Sequence, residues 1–170
     1  TITFPHLVYG GNETTATLMT GVPPDRHGYT MDAYYSRRDR KVYTMLEDKE
    51  TPGIGTSLCL SPKALLSPTI SDRMRLLHPK AKIYAIGIQP ETTILLAGHT
   101  ANACCWIDNK SKQWVTTTAY REGLPSAAYE QNRKNRITTL AEQQWTPRID
   151  IHAYNHPTPQ EKKKPFVYNV

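Results

Sequence analysis

The chain has 170 residues, with 21 Lys and Arg against 15 Asp and Glu, a formal charge of +6 and a pI near 9.2. That length suits one ordinary domain and is short for two. Hydrophobic residues make up 38%, and 13 Pro with 9 Gly imply a loop-rich fold. No window holds the roughly 18 consecutive apolar residues of a membrane-spanning helix, so a membrane-embedded protein is not expected. Thr1 is not Met, and no charged, apolar leader stands before it. The expectation is a processed chain or a piece of a larger one, without a signal peptide of its own.

The charge is evenly spread: 13 basic against 10 acidic residues over 1–120, and 8 against 5 over 121–170. The basic runs are Arg37-Arg38-Asp39-Arg40-Lys41, Arg133-Lys134-Asn135-Arg136 and Lys162-Lys163-Lys164. A polyanion or nucleic-acid binder could use such runs on phosphates. No recognition helix or RNP motif accompanies them, so they read as solvated loops and no nucleic-acid partner is expected. Cys59, Cys104 and Cys105 have no C-x-x-C spacing, which indicates neither a disulfide framework nor a zinc site. Cys104 and Cys105 sit in an apolar run and read as small buried hydrophobes.

Along the chain, Gly10-Gly11-Asn12 is a turn that opens a helix over 13–20, with Asn12 as N-cap, Glu13 at the positive end and Gly21 as the stop. Residues 28–66 are irregular, with a possible strand over 41–46. Ser67-Pro68-Thr69 leads into a helix over 70–77, where Ile70, Met74 and Leu77 fall at helical spacing and Pro79 lies beyond the end. Residues 81–88 read as a strand apolar on both faces, as in a parallel sheet covered on both sides. Helix followed by buried strand is α/β grammar. Residues 103–107 and 113–117 flank the polar loop 108–112 as a hairpin, and a short amphipathic helix follows over 124–132.

Chemistry is sparse. None of the six His makes an H-E-x-x-H pair, and Asp150 with His152 is at most a partial metal site without further ligands. Neither G-x-S-x-G nor a P-loop is present. The feature with most physical content is the Gly10, Gly11, Asn12 turn, whose free amides at a helix N-terminus could bind an anion.

The segment from Phe4-Pro5 through Glu13-Thr14-Thr15-Ala16-Thr17-Leu18-Met19-Thr20-Gly21, then Pro24 and His27-Gly28, resembles the nucleophile region of the alkaline phosphatase superfamily. Within it, the similarity is to the type I phosphodiesterase/nucleotide pyrophosphatase-like phosphatases, where a strand and helix precede T-G-x-x-P-x-x-H-G. Residues 82–88, Ile94-Leu95-Leu96-Ala97-Gly98-His99-Thr100-Ala101 and Trp106-Ile107-Asp108 resemble a second stretch, built on S-L-K-D-R, A-G-H and W-F-D. Trp114 with Thr116-Thr117, Leu124-Pro125 and Trp145-Thr146-Pro147 continue the likeness.

The resemblance implies part of an α/β/α sandwich with a β-rich cap insertion. It suggests a core segment over 1–100, with a loop insertion at about 28–66, and a loop-rich cap over 101–170. It also implies a Thr or Ser nucleophile activated by two zinc ions, with Asn, Lys and Arg on the phosphoryl oxygens. Counted from the motifs, the nucleophile position falls at Gly11, with Thr14 and Thr15 as alternatives under a different gap placement. The Asn, Lys and Arg positions fall at Asp32, Gln89 and Glu91. His27 and His99 match motif positions that do not ligate metal in that family. Its metal ligands would lie outside this chain, so no cofactor is expected within it.

The expected role is therefore noncatalytic: a binding or structural segment of an exported alkaline-phosphatase-superfamily protein. Its ligand is unidentified, with a phosphorylated small molecule as one candidate. The alternatives are part of a metal-dependent phosphomonoesterase or phosphodiesterase, and a polyanion-binding module.

Overall fold

A computed structural model describes residues 10–120, 122–141, 144–145, 148–149, 153 and 168–169. Two compact units are formed, residues 1–129 and residues 130–170.

The first unit opens with α1 (Asn12–Thr20) and a single turn, α2 (Pro24–His27). Asn12 is the first residue of α1, and Gly11, not Asn12, is its cap; no side chain caps the end. Residues 28–66, expected to be irregular, contain a hairpin of β1 (Ala33–Ser36) and β2 (Lys41–Thr44), the short strand β3 (Gly53–Ile54) and a 3-10 turn at Pro62–Ala64. Then come α3 (Ile70–Leu77), β4 (Tyr84–Gly87), α4 (Pro90–Ala97), β5 (Ala103–Ile107) and β6 (Trp114–Thr117). Helices α5 (Ser126–Arg133) and α6 (Arg136–Ala141) and the strands β7 (Gln144–Trp145) and β8 (Tyr168–Asn169) follow. Strands β7 and β8 pair antiparallel. Asp150, His152 and Lys162 to Lys164 lie outside the described residues, as do Phe4, Pro5, Thr146 and Pro147.

The central sheet has the order β3-β6-β5-β4. Strands β4 and β5 are parallel, joined through α4, and β5, β6 and β3 are antiparallel. The fold is thus α/β with a mixed sheet. Helix α4 lies against β4 and β5, and α1 packs on α4. A Cβ on Gly87 would run into the Thr93 hydroxyl of α4, so glycine there lets the helix close on the strand. Trp106, Ile94, Leu95 and Val115, with Leu46, Leu60, Leu65 and Tyr29 from the loops, form the core. Cys104 and Cys105 are buried as expected.

Helix α3 departs from its sequence pattern. Ile70, Met74 and Leu77, spaced to face a core, are exposed, and the buried residue is Asp72. Its carboxylate accepts six hydrogen bonds. Thr69 donates its N–H at 2.9 Å and its hydroxyl at 3.0 Å. His99 donates its N–H at 2.8 Å and Nδ1 at 2.9 Å, and Thr100 its N–H and hydroxyl, each at 2.9 Å. Thr69 and Asp72 form a capping box at the helix start. Nε2 of His99 donates to the Leu65 carbonyl at 2.9 Å, so both ring nitrogens face acceptors, an arrangement that suits the imidazolium. One carboxylate ties α3, the α4–β5 turn and the segment after the 3-10 turn together.

Desolvation pushes the Asp72 carboxyl up, but the bonds from His99, Thr69 and Thr100 outweigh it and hold it well below the usual range. The Asp72 hydrogen bond raises the His99 imidazole, against an opposing effect of burial. The two linkages have opposite signs. The depressed carboxyl adds stability that is present above its ordinary pKa of 3.8 and lost as the pH falls through its lower folded value. The raised imidazole adds stability that is present below its ordinary 6.5 and lost as the pH rises through its higher folded value. Denaturant melts across the pH range should therefore show decline on both sides of a plateau. His99→Gln should flatten the alkaline decline, and Asp72→Asn, which turns an NH2 toward donors, should cost about 3 kcal/mol and flatten the acid one.

Gly98 closes the same corner with φ +69, and a Cβ there would strike Thr69 and Asp72. Gly98→Ala should cost roughly 1–3 kcal/mol, read as a lower midpoint in the same melts.

Candidate functional site

The positions picked out in the sequence come from three parts of the first unit and meet around the N-terminus of α1. Asn12 Nδ2 donates to Asp32 Oδ1 at 2.9 Å, bridging the helix start to the segment before β1. Thr92, in the first turn of α4, donates its hydroxyl to Asn12 Oδ1 at 2.5 Å and lies 3.3 Å from Gln89 Oε1. Asn12, Asp32, Gln89 and Thr92 thus form one chain of side-chain hydrogen bonds. Sequence reasoning did not single out Thr92; only its place three residues after Gln89, at helical spacing, could have suggested it.

Glu91 adds charge rather than a hydrogen bond. The Tyr29 hydroxyl donates to Asp32 Oδ1 at 2.7 Å, and its phenol is held well above its ordinary value. Burial is the largest cause, followed by the Asp32 hydrogen bond and the charges of Asp32, Glu91 and Glu13. Three carboxylates therefore act on one hydroxyl, and the local field is negative. Among the described residues, no Lys or Arg hydrogen-bonds or pairs with Asn12, Asp32, Gln89 or Glu91.

The helix start is itself filled. Gly11 has φ +132, where an L side chain is strained, and a Cβ there would lie 2.9 and 3.1 Å from the two Glu13 carboxylate oxygens. Gly10 is exposed and open. The anion expected at these amides has a competitor in the helix's own Glu13, which complements the positive helix end. Thr14 and Thr15 are half-buried on α1, and the Thr15 hydroxyl faces back to the Gly11 carbonyl at 3.5 Å.

His27 and His99 act in packing. The Tyr29 N–H donates to His27 Nδ1, so Nε2 carries the proton toward the Thr17 hydroxyl, each contact 3.1 Å long. Among the described residues, no three His, Cys, Asp or Glu side chains come together to hold a metal ion. The two zinc ions implied by the resemblance therefore find no donor set among these residues.

Elsewhere in the unit, Arg37, Arg38, Arg40 and Lys41 are exposed at the β1–β2 turn. An open cleft of about 590 Å³ lies beside this hairpin, between Tyr34, Tyr43, Met45, Asp48 and Lys63. In the second unit, Arg133 pairs with Glu130 at 3.1 Å. Among the described residues, no helix is long and apolar enough to cross a membrane.

No family model matches the chain. It is 28% identical over 152 residues to alkaline phosphatase PhoV of Synechococcus elongatus, a match covering 86% of this chain and 28% of that protein. It is 31% identical over 143 residues to a calcium-transporting ATPase of Myroides odoratus, covering 82% of this chain and 26% of the relative. The fold superposes on the crystal structure of wild-type alkaline phosphatase PafA with a TM-score of 0.77 and 25% identity, over 85% of this chain and 29% of that one. The chain spans under a third of the length of the relatives it matches. Collinear motifs, sequence similarity along most of the chain and a shared mixed α/β core lead to one conclusion: the chain belongs to the alkaline phosphatase superfamily.

Proposed function

We propose that these residues form a noncatalytic segment of an alkaline-phosphatase-superfamily protein, with a binding or structural role in place of phosphoryl transfer. The observation that carries the reading is the closed network of Asn12, Asp32, Thr92 and Gln89, with Glu91 and Glu13 close by. A phosphoryl group needs cations and free donors where negative charge develops. Here the Thr92 hydroxyl and one N–H of the Asn12 amide are engaged by neighbouring side chains, and the ionised groups are carboxylates. At Gly11 there is no side chain to attack phosphorus, and Glu13 stands where one would project. Glu in place of Arg exchanges a fork of donors for a pure acceptor.

Within the superfamily, the motifs favour the type I phosphodiesterase/nucleotide pyrophosphatase-like branch, and by the same resemblance we assign the protein to export. The negative field disfavours a phosphorylated small molecule at the α1 end and favours a neutral or cationic ligand there.

The competing reading is a metal-dependent phosphoesterase whose ligands lie outside these residues and whose nucleophile is Thr14 or Thr15; the names of the relatives PhoV and PafA support it. Phosphatase and phosphodiesterase assays of the complete polypeptide with added zinc separate the two. The expected result is no turnover above the buffer rate, unchanged in a Thr14→Ala/Thr15→Ala double variant. Zinc-dependent turnover abolished by that double variant would overturn the noncatalytic reading.

Binding of inorganic phosphate provides a second check, by calorimetry at low salt. The native chain should bind no tighter than the millimolar range, and the triple variant Asp32→Asn/Gln89→Lys/Glu91→Arg should gain roughly tenfold or more. Gly11→Thr alone should yield no hydrolysis and should lower the melting midpoint, because φ +132 and Glu13 both oppose it.

A further inference from the structure

Four cations crowd the turn of the β1–β2 hairpin: Arg37, Arg38, Arg40 and Lys41, all exposed, with Asp39 as the one acid among them. Asp39 is turned into the hairpin. Its Oδ2 accepts from the Ser36 hydroxyl at 2.9 Å and the Tyr43 hydroxyl at 3.4 Å, and its N–H donates to Ser36 Oγ at 3.3 Å. Among the described residues, none of the four cations pairs with a carboxylate. Other basic side chains of the same unit are occupied: Lys63 holds Glu50, Lys82 holds Glu122, and Arg75 donates to Asn102. Like charges so close together repel, and the backbone adds strain: Arg40 has φ 52, which Gly or Asn would adopt more easily. Strain retained under a charged side chain points to a use for that side chain.

The strands below the turn carry an apolar surface to match. Their register sets Tyr35 opposite Val42 and Tyr34 opposite Tyr43. Strand alternation sends the two pairs to opposite faces. Tyr34 and Tyr43 stack with ring centroids 5.8 Å apart and line the neighbouring cleft. Tyr35 and Val42 meet solvent instead, 58% and 67% exposed. The hairpin thus ends in a cationic tip above an exposed aromatic–aliphatic pair. Its shape is set in advance by the strand register, the tyrosine stack and the Asp39 bonds.

We propose that the β1–β2 hairpin is a docking surface for an anionic lipid membrane. Arg37, Arg38, Arg40 and Lys41 meet headgroup phosphates, while Tyr35 and Val42 rest at the boundary with the acyl chains. Guanidinium forks fit phosphate oxygens two at a time, and each Lys or Arg near an anionic surface adds to the affinity. Tyrosine favours that interface, with its ring in the apolar layer and its hydroxyl in the wet one. The apolar pair separates this occupant from a nucleic-acid strand, which offers the same phosphates. Bases need free aromatic faces for stacking; Val42 has none, and Tyr34 and Tyr43 face each other. A hairpin already ordered loses little freedom on binding. The contact is peripheral, needs no spanning segment, and is independent of whether the α1 site is catalytic.

The test is co-sedimentation of the complete polypeptide with phosphatidylcholine vesicles, with and without phosphatidylglycerol at about one lipid in three. Binding is expected to the anionic vesicles alone, weakening at least about tenfold between roughly 50 mM and 0.5 M salt. Arg37→Gln/Arg38→Gln/Arg40→Asn/Lys41→Gln should weaken it at least about tenfold with the melting midpoint unchanged. Tyr35→Thr/Val42→Thr, which keeps strand formers, should weaken it roughly three- to tenfold. The control Arg73→Gln/Lys80→Gln/Lys110→Gln/Lys112→Asn removes as many exposed cations elsewhere and should cost less than about threefold. Amide exchange requires no variant: anionic vesicles should slow residues 33–44 several-fold and leave α4 unchanged. Millimolar glycerol phosphate, a free headgroup, should not displace the vesicles.

The proposal is overturned by equal binding to both kinds of vesicle or by binding to neither. It also falls if the control loses as much as the hairpin variant, if Tyr35→Thr/Val42→Thr binds like the native protein, or if the vesicles leave exchange at 33–44 unchanged. Displacement by glycerol phosphate would assign the turn to a soluble phosphate, and tighter binding of a single-stranded oligonucleotide would assign it to nucleic acid. Phosphatase activity enters none of these measurements, so failure here leaves the noncatalytic reading standing, and the reverse.

Discussion

A charged carboxylate cannot be taken from water without donors to receive it, and Asp72 sets this unit's arrangement through that requirement. Six donors from Thr69, His99 and Thr100 meet its two oxygens. The donors belong to the cap of α3 and to the turn between α4 and β5, and His99 passes the link on to the Leu65 carbonyl. Gly98 has no Cβ to crowd this corner, which is how the turn comes so close to the α3 cap. The orientation of α3 follows. Rotating the helix to bury Ile70, Met74 and Leu77 would gain about 1.5–3 kcal/mol for each side chain. It would also strip the carboxylate of its partners, a loss of comparable size. Both demands are met only when the apolar stripe finds cover of its own.

Asp72 and Asp32 show how context decides what a carboxylate does. Asp72 gathers backbone and side-chain donors and becomes a strut. Asp32, exposed near the start of α1, accepts from Asn12 and from Tyr29 and helps make a surface of negative potential. Glu13 reinforces that sign at the helix end, which in an ordinary helix would attract anions. A helix terminus, a short loop and a strand-to-helix turn converge there, and the charges they bring together are carboxylates.

Much of this was legible in the residues. The α1 stop at Gly21, the helix over 70–77, the buried Cys pair and the hairpin of 103–107 with 114–117 follow from turn chemistry and apolar runs, which are local properties. The β1–β2 hairpin was less visible, because Arg37, Arg38 and Arg40 make its turn and Arg40 holds the positive φ usually given to Gly or Asn. The outward stripe of α3 could not be read from spacing, since a period of 3.6 says which residues share a face but not where the face points. The capping box Thr69 and Asp72 was present as a T-x-x-D pattern, yet the partnership with His99 spans 27 residues and depends on the fold. The meeting of Asn12, Asp32 and Thr92 is likewise nonlocal: 80 residues separate Asn12 from Thr92.

The adjacent thiols of β5 have a practical consequence. Successive strand residues project to opposite faces, so Cys104 lies under α4 while Cys105 lies on the other side of the same sheet. Burial is the main cause pushing their thiols up, to about 12 and about 11. Neither is an effective nucleophile while the sheet is intact. A maleimide or disulfide reagent would therefore report opening of the two layers separately, with Cys104 timing the departure of α4 and Cys105 the breathing of the opposite layer. The protein carries, one residue apart, two clocks for the two sides of its own core.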